Sequence, residues 1–447
     1  MDSGALFFAQ PRLAPSRLEP AKVTARGIAL AMAAMRAAAI GVSPYDLAAG
    51  TDFLKQLASE NNLSLLSANL VKDNKPVFPP FRITKRGSTR IALVGLTGPL
   101  HGEMDSIALR PWQDVLPALL AEVEKKSDMV ILLSSMPHKV NQQIATQFKN
   151  IHIILQSGQR GSNQPPKNIN NTLLCQTAPQ GKYLGILDIS WNSTKEWQKV
   201  RLQDPDVLQR RLDRILWQLE RMKKRYPERE LAANSQYTRL EREKRQLEKT
   251  LQKLREAAPK NRQSPCQYNN VFIAIETSLP EDREIRALVD KIRREVNQVN
   301  RKLQEQQRRT NTRVLQTFSG MASSQRCKEC HPKQAAFYLR TDHARAWQTL
   351  ARRDQHYNPD CIACHATLPE YNAQTLADEA LLTALPSRFH NVGCEACHGP
   401  ALAHANTPDN VLPKKPQETT CRQCHTPKRD PHFKFQEKKM KIQCPAG

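Results

Sequence analysis

The sequence Cys-x-x-Cys-His occurs four times in the last third of the chain, and this repeat constrains the protein more than any other feature. The copies are Cys327-Lys-Glu-Cys330-His331, Cys361-Ile-Ala-Cys364-His365, Cys394-Glu-Ala-Cys397-His398 and Cys421-Arg-Gln-Cys424-His425. Thiols at this spacing lie about one turn apart and can add to the two vinyl groups of one porphyrin, and the histidine that follows reaches the iron as its proximal ligand. Zinc sites do not require a histidine after each cysteine pair, and a thioredoxin-like thiol pair would explain one copy but not four. The repeat therefore predicts four covalently bound haem c groups.

Five more histidines lie in the same part of the chain, namely His343, His356, His390, His404 and His432. Each of four irons needs a sixth ligand if it is to be a low-spin electron carrier. These histidines are therefore candidate distal ligands of iron, and the alternative for each one is a solvated loop histidine. The sulfur atoms of Met321 and Met440 are further candidates, but no pattern around them supports ligation.

From residue 321 to residue 447 the long apolar runs disappear and loop signals multiply. A segment so poor in aliphatic residues would not fold alone, and four porphyrins would supply the missing apolar mass. We therefore expect a loop-and-helix tetrahaem cytochrome c module at 321–447 whose folding depends on haem, as metal-dependent domains depend on metal. Bis-histidine ligation lacks the methionine that raises the reduction potential, so low potentials are expected.

Two stretches of this module resemble a known family. They are Thr341-Asp-His343-Ala-Arg-Ala with Trp347, and Val392-Gly-Cys-Glu-Ala-Cys-His-Gly-Pro400 followed by His404. Both look like the tetrahaem cytochrome c family of the ammonia oxidisers' electron-transfer pathway, in which the corresponding histidines bind iron. The resemblance implies this role for His343 and His404, and it assigns none to His356, His390 or His432.

The first 200 residues alternate segments typical of strands with segments typical of helices. The predicted strands are Ile91–Leu96, Met129–Leu133 and 151–155, and the predicted helices are 21–39, 114–126 and 139–149. Such alternation favours a layered α/β domain over 1–200 with much of its sheet buried.

Four stretches of this region resemble the 5'-nucleotidase branch of the calcineurin-like metallophosphoesterases. They are Asp2-Ser-Gly-Ala5, Gly41-Val-Ser-Pro-Tyr-Asp46, Leu66-Ser-Ala-Asn69 and Gln176-Thr-Ala-Pro-Gln-Gly-Lys-Tyr-Leu-Gly185. The resemblance covers about residues 1–190 and implies a metallophosphoesterase-like fold. In that family two metal ions activate water for attack on a phosphate ester.

Most of the family's metal-ligand positions hold other residues in this chain. Ala5 stands at the bridging aspartate, Val42-Ser43 at the Asn-His pair, Ser135 at a histidine, and Gly158-Gln159-Arg160-Gly161 at the Gly-His-x-His. Alanine, valine and glycine side chains cannot bind a divalent cation, and serine or glutamine would bind it poorly. The sequence therefore predicts a degenerate domain without its metals. A rebuilt site from His101, His138 and His152 is the alternative to structural or surface histidines.

The middle of the chain contains two heptad runs, which predict a helical coiled-coil hairpin over 201–262. The apolar positions are Leu208, Leu212, Ile215, Leu219, Met222 and Tyr226 in the first run, and Tyr237, Leu240, Leu247, Leu251 and Leu254 in the second. Pro227 and the polar residues after it favour a turn, and Pro259 to Pro265 breaks the second helix. Because the core between these two helices is small, the alternative is that the hairpin associates with a second copy of the chain.

The segment 263–320 predicts a strand and a connecting helix. Val271–Ile275 is typical of a strand that returns to the first domain's sheet, and an apolar stripe from Ile285 to Leu303 predicts the helix.

The chain has a formal charge of +24, from 67 basic and 43 acidic residues. A basic surface favours acidic redox partner proteins or contact with an anionic membrane surface, and nothing resembles a nucleic-acid recognition motif. Eight of the 11 cysteines belong to the repeat, and Cys175, Cys266 and Cys444 have no assigned role.

Covalent haem attachment in bacteria takes place outside the cytoplasm, yet no basic segment of a secretory signal opens the sequence. We therefore expect a periplasmic or extracellular protein whose signal peptide is missing from this sequence. The leading hypothesis is electron transfer through four haems beside a phosphoesterase-like scaffold or docking domain. The alternatives are a haem-dependent oxidoreductase acting on a small nitrogen compound and a 5'-nucleotidase-like phosphate-ester hydrolase.

Overall fold

A computed structural model describes residues 1–102, 104, 106–158, 161–192, 195–197, 205–225, 227, 230–231, 234–256, 266–276, 279–310, 316–370, 381–382, 385–427 and 429–445. Its strands are β1 (Ile40–Gly41), β2 (Leu65–Leu66), β3 (Leu70–Lys72), β4 (Lys75–Pro76), β5 (Phe81–Arg86), β6 (Thr89–Leu96), β7 (Ile107–Leu109), β8 (Met129–Ser134), β9 (Ile153–Gln156), β10 (Gln164–Ile169), β11 (Thr172–Gln176), β12 (Tyr183–Ser190) and β13 (Gln267–Ala274). Its helices are α1 (Pro15–Ala34), α2 (Thr51–Glu60), α3 (Trp112–Lys126), α4 (His138–Gln147), α5 (Pro205–Arg225), α6 (Ser235–Glu256), α7 (Arg283–Thr310), α8 (Ser324–Cys330), α9 (Pro332–Tyr338), α10 (Ala346–Ala351), α11 (Pro359–His365), α12 (Cys394–His398), α13 (Leu402–Asn406), α14 (Glu418–Arg422) and α15 (Phe435–Ile442). Short 3₁₀ turns cover Asp342–Arg345 and Ser387–Phe389.

The chain divides into two compact units, and each unit is built from separated parts of the sequence. The first unit contains Met1–Ala5, Ala38–Pro44 and Ser64–Leu279, and the second contains Leu6–Ala37, Tyr45–Leu63 and Pro280–Gly447. The division into segments 1–200, 201–262, 263–320 and 321–447 stays a prediction. Gln159, Arg160, Tyr226 and the break at Pro259–Pro265 lie outside the described residues.

A six-stranded sheet in the order β10-β11-β9-β8-β6-β5 forms the centre of the first unit. The inner strands β11, β9, β8 and β6 are parallel, and the edge strands β10 and β5 are antiparallel to their neighbours. Every residue of β8 is buried, as its unbroken apolar run predicts. Helices α3 and α4 follow β6 and β8 in the chain, so β6, β8 and β9 are joined by βαβ crossovers.

The sheet is covered on both faces, because alternate residues of its strands point to opposite sides. On one face Val94 and Leu132 pack with Leu116 and Leu120 of α3. On the other face Leu93 and Ile131 belong to a core with Trp197 and Cys266, and Leu187, Ile189 and Tyr268 of β12 and β13 pack against it. The predicted return of Val271–Ile275 to the first domain's sheet is wrong: β13 packs over one face of that sheet but pairs with β12 in a separate two-stranded sheet.

Helices α5 and α6 form the predicted hairpin. The heptad positions Leu212, Ile215 and Leu219 of α5 are buried together with Leu247 and Leu251 of α6. An ion pair between Arg211 and Glu243 joins the two helices at the surface. The seam that predicted a coiled coil is thus buried within one chain.

In the second unit, α1 packs against α7 at very short range. A Cβ atom on Gly27 would lie 2.7 Å from Cγ1 of Ile292, so only glycine permits this approach. Arg17, near the start of α1, donates a hydrogen bond of 2.8 Å to Asp360, the residue before the second Cys-x-x-Cys-His copy. None of the helices in the described ranges is long and apolar enough to cross a membrane.

The segments after α7 form short helices joined by loops. Their one apolar cluster among the described residues has Phe318 stacked on Phe389, with ring centroids 4.7 Å apart, and includes Ile362 and Leu382. This is the loop-and-helix character that the composition of 321–447 predicts.

The buried His152 of the first unit predicts a pH dependence of stability. Its Nδ1 accepts a hydrogen bond of 2.9 Å from the amide of Val130, and burial, with a smaller contribution from Lys195, lowers the pKa of His152 to about 4. In the unfolded chain the imidazole of His152 binds a proton with a pKa of about 6.5. The neutral, buried ring therefore contributes its full stabilisation of the fold above that pH, and this contribution is lost as the pH falls towards 4. We expect the first unit to lose on the order of 2 kcal/mol of unfolding free energy between pH 6.5 and pH 5.

The measurement is denaturant unfolding followed by tryptophan fluorescence at both pH values, since four of the five tryptophans lie in this unit. His152→Gln should remove most of the pH dependence, and His101→Gln, at an exposed histidine, should leave it intact. Equal pH dependence in His152→Gln and the unaltered protein would show that another group is responsible.

Candidate functional site

Each Cys-x-x-Cys-His copy lies in or beside one short helical turn. The second and third copies lie within α11 and α12, the first copy lies in α8 with His331 just after it, and the fourth begins in α14 and runs past its end at Arg422. Backbone amides of His331 and His425 donate to the carbonyls of Cys327 and Cys421 at 2.9 Å, which closes the turn over the first and fourth copies. Residues three and four apart on a helix lie on one face. The helical turn therefore presents both thiols and the histidine on one side, as attachment to a single porphyrin requires.

A cavity of about 440 Å³ lies among these turns. It is lined by cysteines of the first, third and fourth copies and by four of the predicted iron ligands, His331, His343, His398 and His404. Apolar side chains such as Phe337, Val392 and Ile442 form much of the rest of its wall. Its size lies in the range of ordinary cofactor sites, and its thiols and imidazoles are the groups that haem c attachment needs.

Two pairs of histidines face each other at the distance that a shared metal ion would impose. The ring centroids of His331 and His404 are 6.0 Å apart, with ring planes 21° from parallel. The centroids of His343 and His425 are 6.3 Å apart. An imidazole nitrogen binds a metal at about 2 Å, so imidazoles on opposite sides of one ion have centroids about 6 Å apart. His404 and His343, to which the cytochrome resemblance assigns iron binding, therefore each lie close to a histidine of the repeat.

Four histidines have their Nδ1 atom hydrogen-bonded to an oxygen that can only accept. The pairs are His365 with the Ala346 carbonyl at 2.9 Å, His398 with the Lys414 carbonyl at 3.0 Å, His404 with the Val411 carbonyl at 2.7 Å, and His425 with Asp430 Oδ2 at 2.9 Å. Because carbonyl and carboxylate oxygens do not donate, the proton must lie on Nδ1. The lone pair of Nε2 then remains available for iron, the arrangement typical of metal-binding histidines.

The environment of His343 also favours the neutral ring that iron requires. Burial lowers the pKa of His343, and the neighbouring His425 lowers it further. The remaining candidates lie elsewhere. His390 is stacked on Trp347 with centroids 3.6 Å apart, His432 is exposed, and His356 packs near Trp347 with a buried Nδ1 that has no hydrogen-bond partner in the described part of the chain.

Contacts between thiols show which copies of the repeat are neighbours. Cys327 of the first copy lies beside Cys394 of the third, and hydrogen bonding between the two thiols lowers the pKa of Cys394 and raises that of Cys327. Cys424 of the fourth copy has the same relation to Cys364 of the second, whose pKa falls to about 7. The first copy therefore lies beside the third, and the second lies beside the fourth.

Glu395, inside the third copy, is a buried carboxylate that sequence reasoning missed. Its Oε1 accepts hydrogen bonds from the amides of Ala322 and Ala401, and its Oε2 accepts one from Ser323, all at 2.8 Å. Three amide donors compensate the cost of burying the charge. The side chain therefore ties the third copy to the entrance of the module. The only sequence signal was an acidic residue between two cysteines, which by itself resembles the exposed Glu329 of the first copy.

Asp46, which matches the resembling family, and Ser43 and Ser135, which stand at lost metal-ligand positions, have structural roles. Asp46 Oδ1 accepts from the amides of Leu6 and Phe7 at 2.9 and 3.0 Å, and Ser43 Oγ accepts from the amide of Ala5 at 2.7 Å. Ser135 Oγ accepts from the amide of Gly98 at 2.9 Å.

Neutral side chains occupy the carboxyl ends of the parallel strands. Gln156 donates to Gln176 at 2.8 Å and is hydrogen-bonded to Asn141 and to His138 Nδ1. Across the described ranges no group of three or more His, Cys, Asp or Glu side chains is placed to hold a metal ion. Among the histidines of this region, His152 has its Nδ1 occupied by an amide proton.

The three cysteines outside the repeat lie in different surroundings. Burial raises the pKa of Cys175 to about 12, which makes that thiol inert. Cys266 is buried in the core of the first unit, and Cys444 is exposed at the wall of the cavity.

Comparison with known families identifies the C-terminal part of the chain. Residues 326–399 match the family model described as cytochrome c554 and c-prime. The matched range contains the first three copies of the repeat and His343, and it ends before His404 and the fourth copy. A cytochrome c554-type haem domain is therefore present, and this type implies covalent c-type haems.

Several solved structures are similar to part of the chain. The sulfate thiohydrolase SoxB of Thermus thermophilus in complex with glycerol is 19% identical, covers 42% of this chain and 35% of its own, and has a TM-score of 0.37. A 5'-nucleotidase precursor, also from Thermus thermophilus, is 18% identical over 44% of this chain and 42% of its own, with a TM-score of 0.36. The calcineurin-like phosphoesterase YfkN of Bacillus subtilis is 16% identical over 43% of this chain and 71% of its own, with a TM-score of 0.36.

These likenesses are distant. The chain spans only about a third to two fifths of the first two structures, and the low scores carry no statement about activity. No curated protein matches the chain.

Substitution of Glu395 tests whether its carboxylate anchors the third copy to the residues before the first copy. Glu395→Gln would place an amide N–H₂ against a backbone N–H donor, leaving a buried donor without an acceptor at a cost of about 1–3 kcal/mol. We expect the haem-loaded protein to unfold at a lower temperature, measured at the haem absorption band. The matched control is Glu329→Gln in the first copy, which is exposed and should leave the unfolding temperature unchanged. Equal effects of the two substitutions would contradict the anchoring role of Glu395.

Proposed function

We propose that the chain transfers electrons outside the cytoplasm through four covalently bound haem c groups. The phosphoesterase-like domain is its scaffold or docking surface. The observation that carries the proposal is the set of Nδ1 hydrogen bonds to His365, His398, His404 and His425, which leaves each Nε2 free to bind iron. Haem c, when bound, supplies the one-electron reduction chemistry.

The geometry supports an assignment of residues to each haem. The thiols of each copy attach one porphyrin, and His331, His365, His398 and His425 are the proximal ligands. His404 faces His331 and His343 faces His425, so these are assigned as the distal ligands of the first and fourth haems. His356, His390 and His432 remain candidates for the second and third.

The thiol contacts support transfer between haems. The first copy lies against the third and the second against the fourth, so porphyrins attached there would have their edges close together. What the protein contributes is orientation, axial ligation and the local dielectric. Bis-histidine ligation at the first and fourth irons favours low potentials.

The charge of the chain supports acidic redox partners or contact with an anionic membrane surface. The hairpin of α5 and α6 offers a further surface for self-association. Hydrolysis of phosphate esters has weaker support, because Ala5, Ser43 and Ser135 stand where the resembling family holds metal ligands.

The number of haems is the first quantity to measure. We expect four per chain, by pyridine haemochrome assay and intact mass spectrometry of protein matured in a haem-attaching host. Changing both cysteines of one copy to alanine should lower the mass by one haem, whichever copy is chosen. Changing Cys175, which is far from the repeat in sequence, should leave four. Three or fewer haems in the unaltered chain would contradict the proposal.

The distal ligands can be tested one at a time. His404→Ala and His343→Ala should each convert one low-spin iron to high-spin, because each removes the sixth ligand of one iron. The measurement is electron paramagnetic resonance of the oxidised protein, with His101→Ala, at an exposed histidine of the first unit, as control. Unchanged low-spin signals in both variants would refute these assignments.

The second candidate function is a haem-dependent oxidoreductase acting on a small nitrogen compound. It is favoured by one observation: the imidazole pairs found in the described residues serve the first and fourth copies, while His365 and His398 show no such facing ring. An iron with an open sixth position could bind substrate. Wholly low-spin iron in the unaltered protein would exclude this function, and a high-spin signal that changes when nitric oxide or hydroxylamine is added would favour it.

A further inference from the structure

The cavity that would receive haem carries two positive charges on its wall. Among the described residues that line it, Lys415 and Lys439 are the ones with ammonium groups. The lining residues include one carboxylate, that of Glu395, and it already accepts three backbone N–H bonds. The two lysines are therefore not neutralised by an acidic group of the cavity.

Lys415 is fixed beside the histidine of the third copy. The amide of its neighbour Lys414 donates to the carbonyl of His398 at 3.1 Å, and the Lys414 carbonyl accepts from His398 Nδ1 at 3.0 Å. These two hydrogen bonds fix the backbone beside His398 and so set the position of Lys415. Lys415 therefore lines the cavity together with His398.

Lys439 reaches the same cavity from helix α15. It lies one turn after Phe435, which also lines the cavity, and its Nζ is 5.8 Å from the centroid of the Phe435 ring. Lys438 and Lys441 of the same helix do not line the cavity. One lysine of the helix thus faces the cavity, and two others serve as natural controls.

A haem in this cavity would bring two propionate groups with it. A carboxylate removed from water is costly unless it is paired with a cation and hydrogen-bonded. We propose that Lys415 and Lys439 bind the propionates of the haem attached to Cys394 and Cys397, and so raise its reduction potential. This inference rests on the proposed function, because it requires a haem at the third copy.

The effect on the potential follows from charge. Reduction of the iron adds one negative charge to the haem, and a lysine ammonium nearby stabilises that charge. Loss of one such lysine should shift the reduction equilibrium of one haem on the order of tenfold, or about 59 mV for one electron, towards the oxidised form.

The experiment is a spectroelectrochemical titration of the four-haem protein carrying Lys415→Gln, Lys439→Gln or both. We expect one of the potentials to fall in each single variant and to fall further in the double variant. Lys415→Arg keeps the charge and should keep the potential, and Lys438→Gln should change nothing.

The haem count separates the two proposals. Fewer than four haems in the unaltered protein would count against the proposed function. Four haems with unchanged potentials in the double variant would overturn the lysine assignment alone. A double variant that matures with three haems, while Lys415→Arg matures with four, would support the contact, because the haem then fails to be seated.

Discussion

The hydrogen bond that fixes the Nδ1 proton of four proposed iron ligands, His365, His398, His404 and His425, is the interaction on which the proposed haem module depends. Its acceptors come from the chain itself: carbonyls of Ala346, Val411 and Lys414, and the carboxylate of Asp430. Three of them belong to irregular segments that bury little apolar surface. A loop held only by such polar contacts gains order when the ring it orients is also bound to iron. The orientation of the iron-binding ring and the conformation of the loop that holds it therefore depend on each other.

The two parts of the chain are stabilised in different ways. The parallel sheet buries apolar residues on both faces, and neutral groups such as Asn141, Gln156 and Gln176 satisfy one another at the ends of its strands. The segments after α7, as far as the structure describes them, contain one small apolar cluster and a cavity wall. A layered core is complete without cofactor, whereas the segments after α7 leave a cavity of about 440 Å³ that a bound porphyrin would fill.

The sequence predicted the elements with strong periodicity and the motifs with fixed spacing. The apolar runs of β6 and β8 and the heptads of α5 and α6 have a single favourable arrangement, so their positions followed from pattern alone. The pairing of His331 with His404, and of His343 with His425, depended on a family resemblance and on how distant loops fold together. Glu395 was missed because an acidic residue between two cysteines gives no sign of burial. The packing of α1 on α7 was missed because small residues such as Gly27 read as weak helix formers, not as contact points.

The close approach of Gly27 to Ile292 has a consequence for how the protein is made. Helix α1 leaves the ribosome before the sheet of the first unit, but its partner α7 begins only at residue 283. During synthesis the sheet of the first unit emerges between them, so the face of α1 that packs on α7 stays exposed until α7 has been made. Contacts between such distant parts of a chain slow folding.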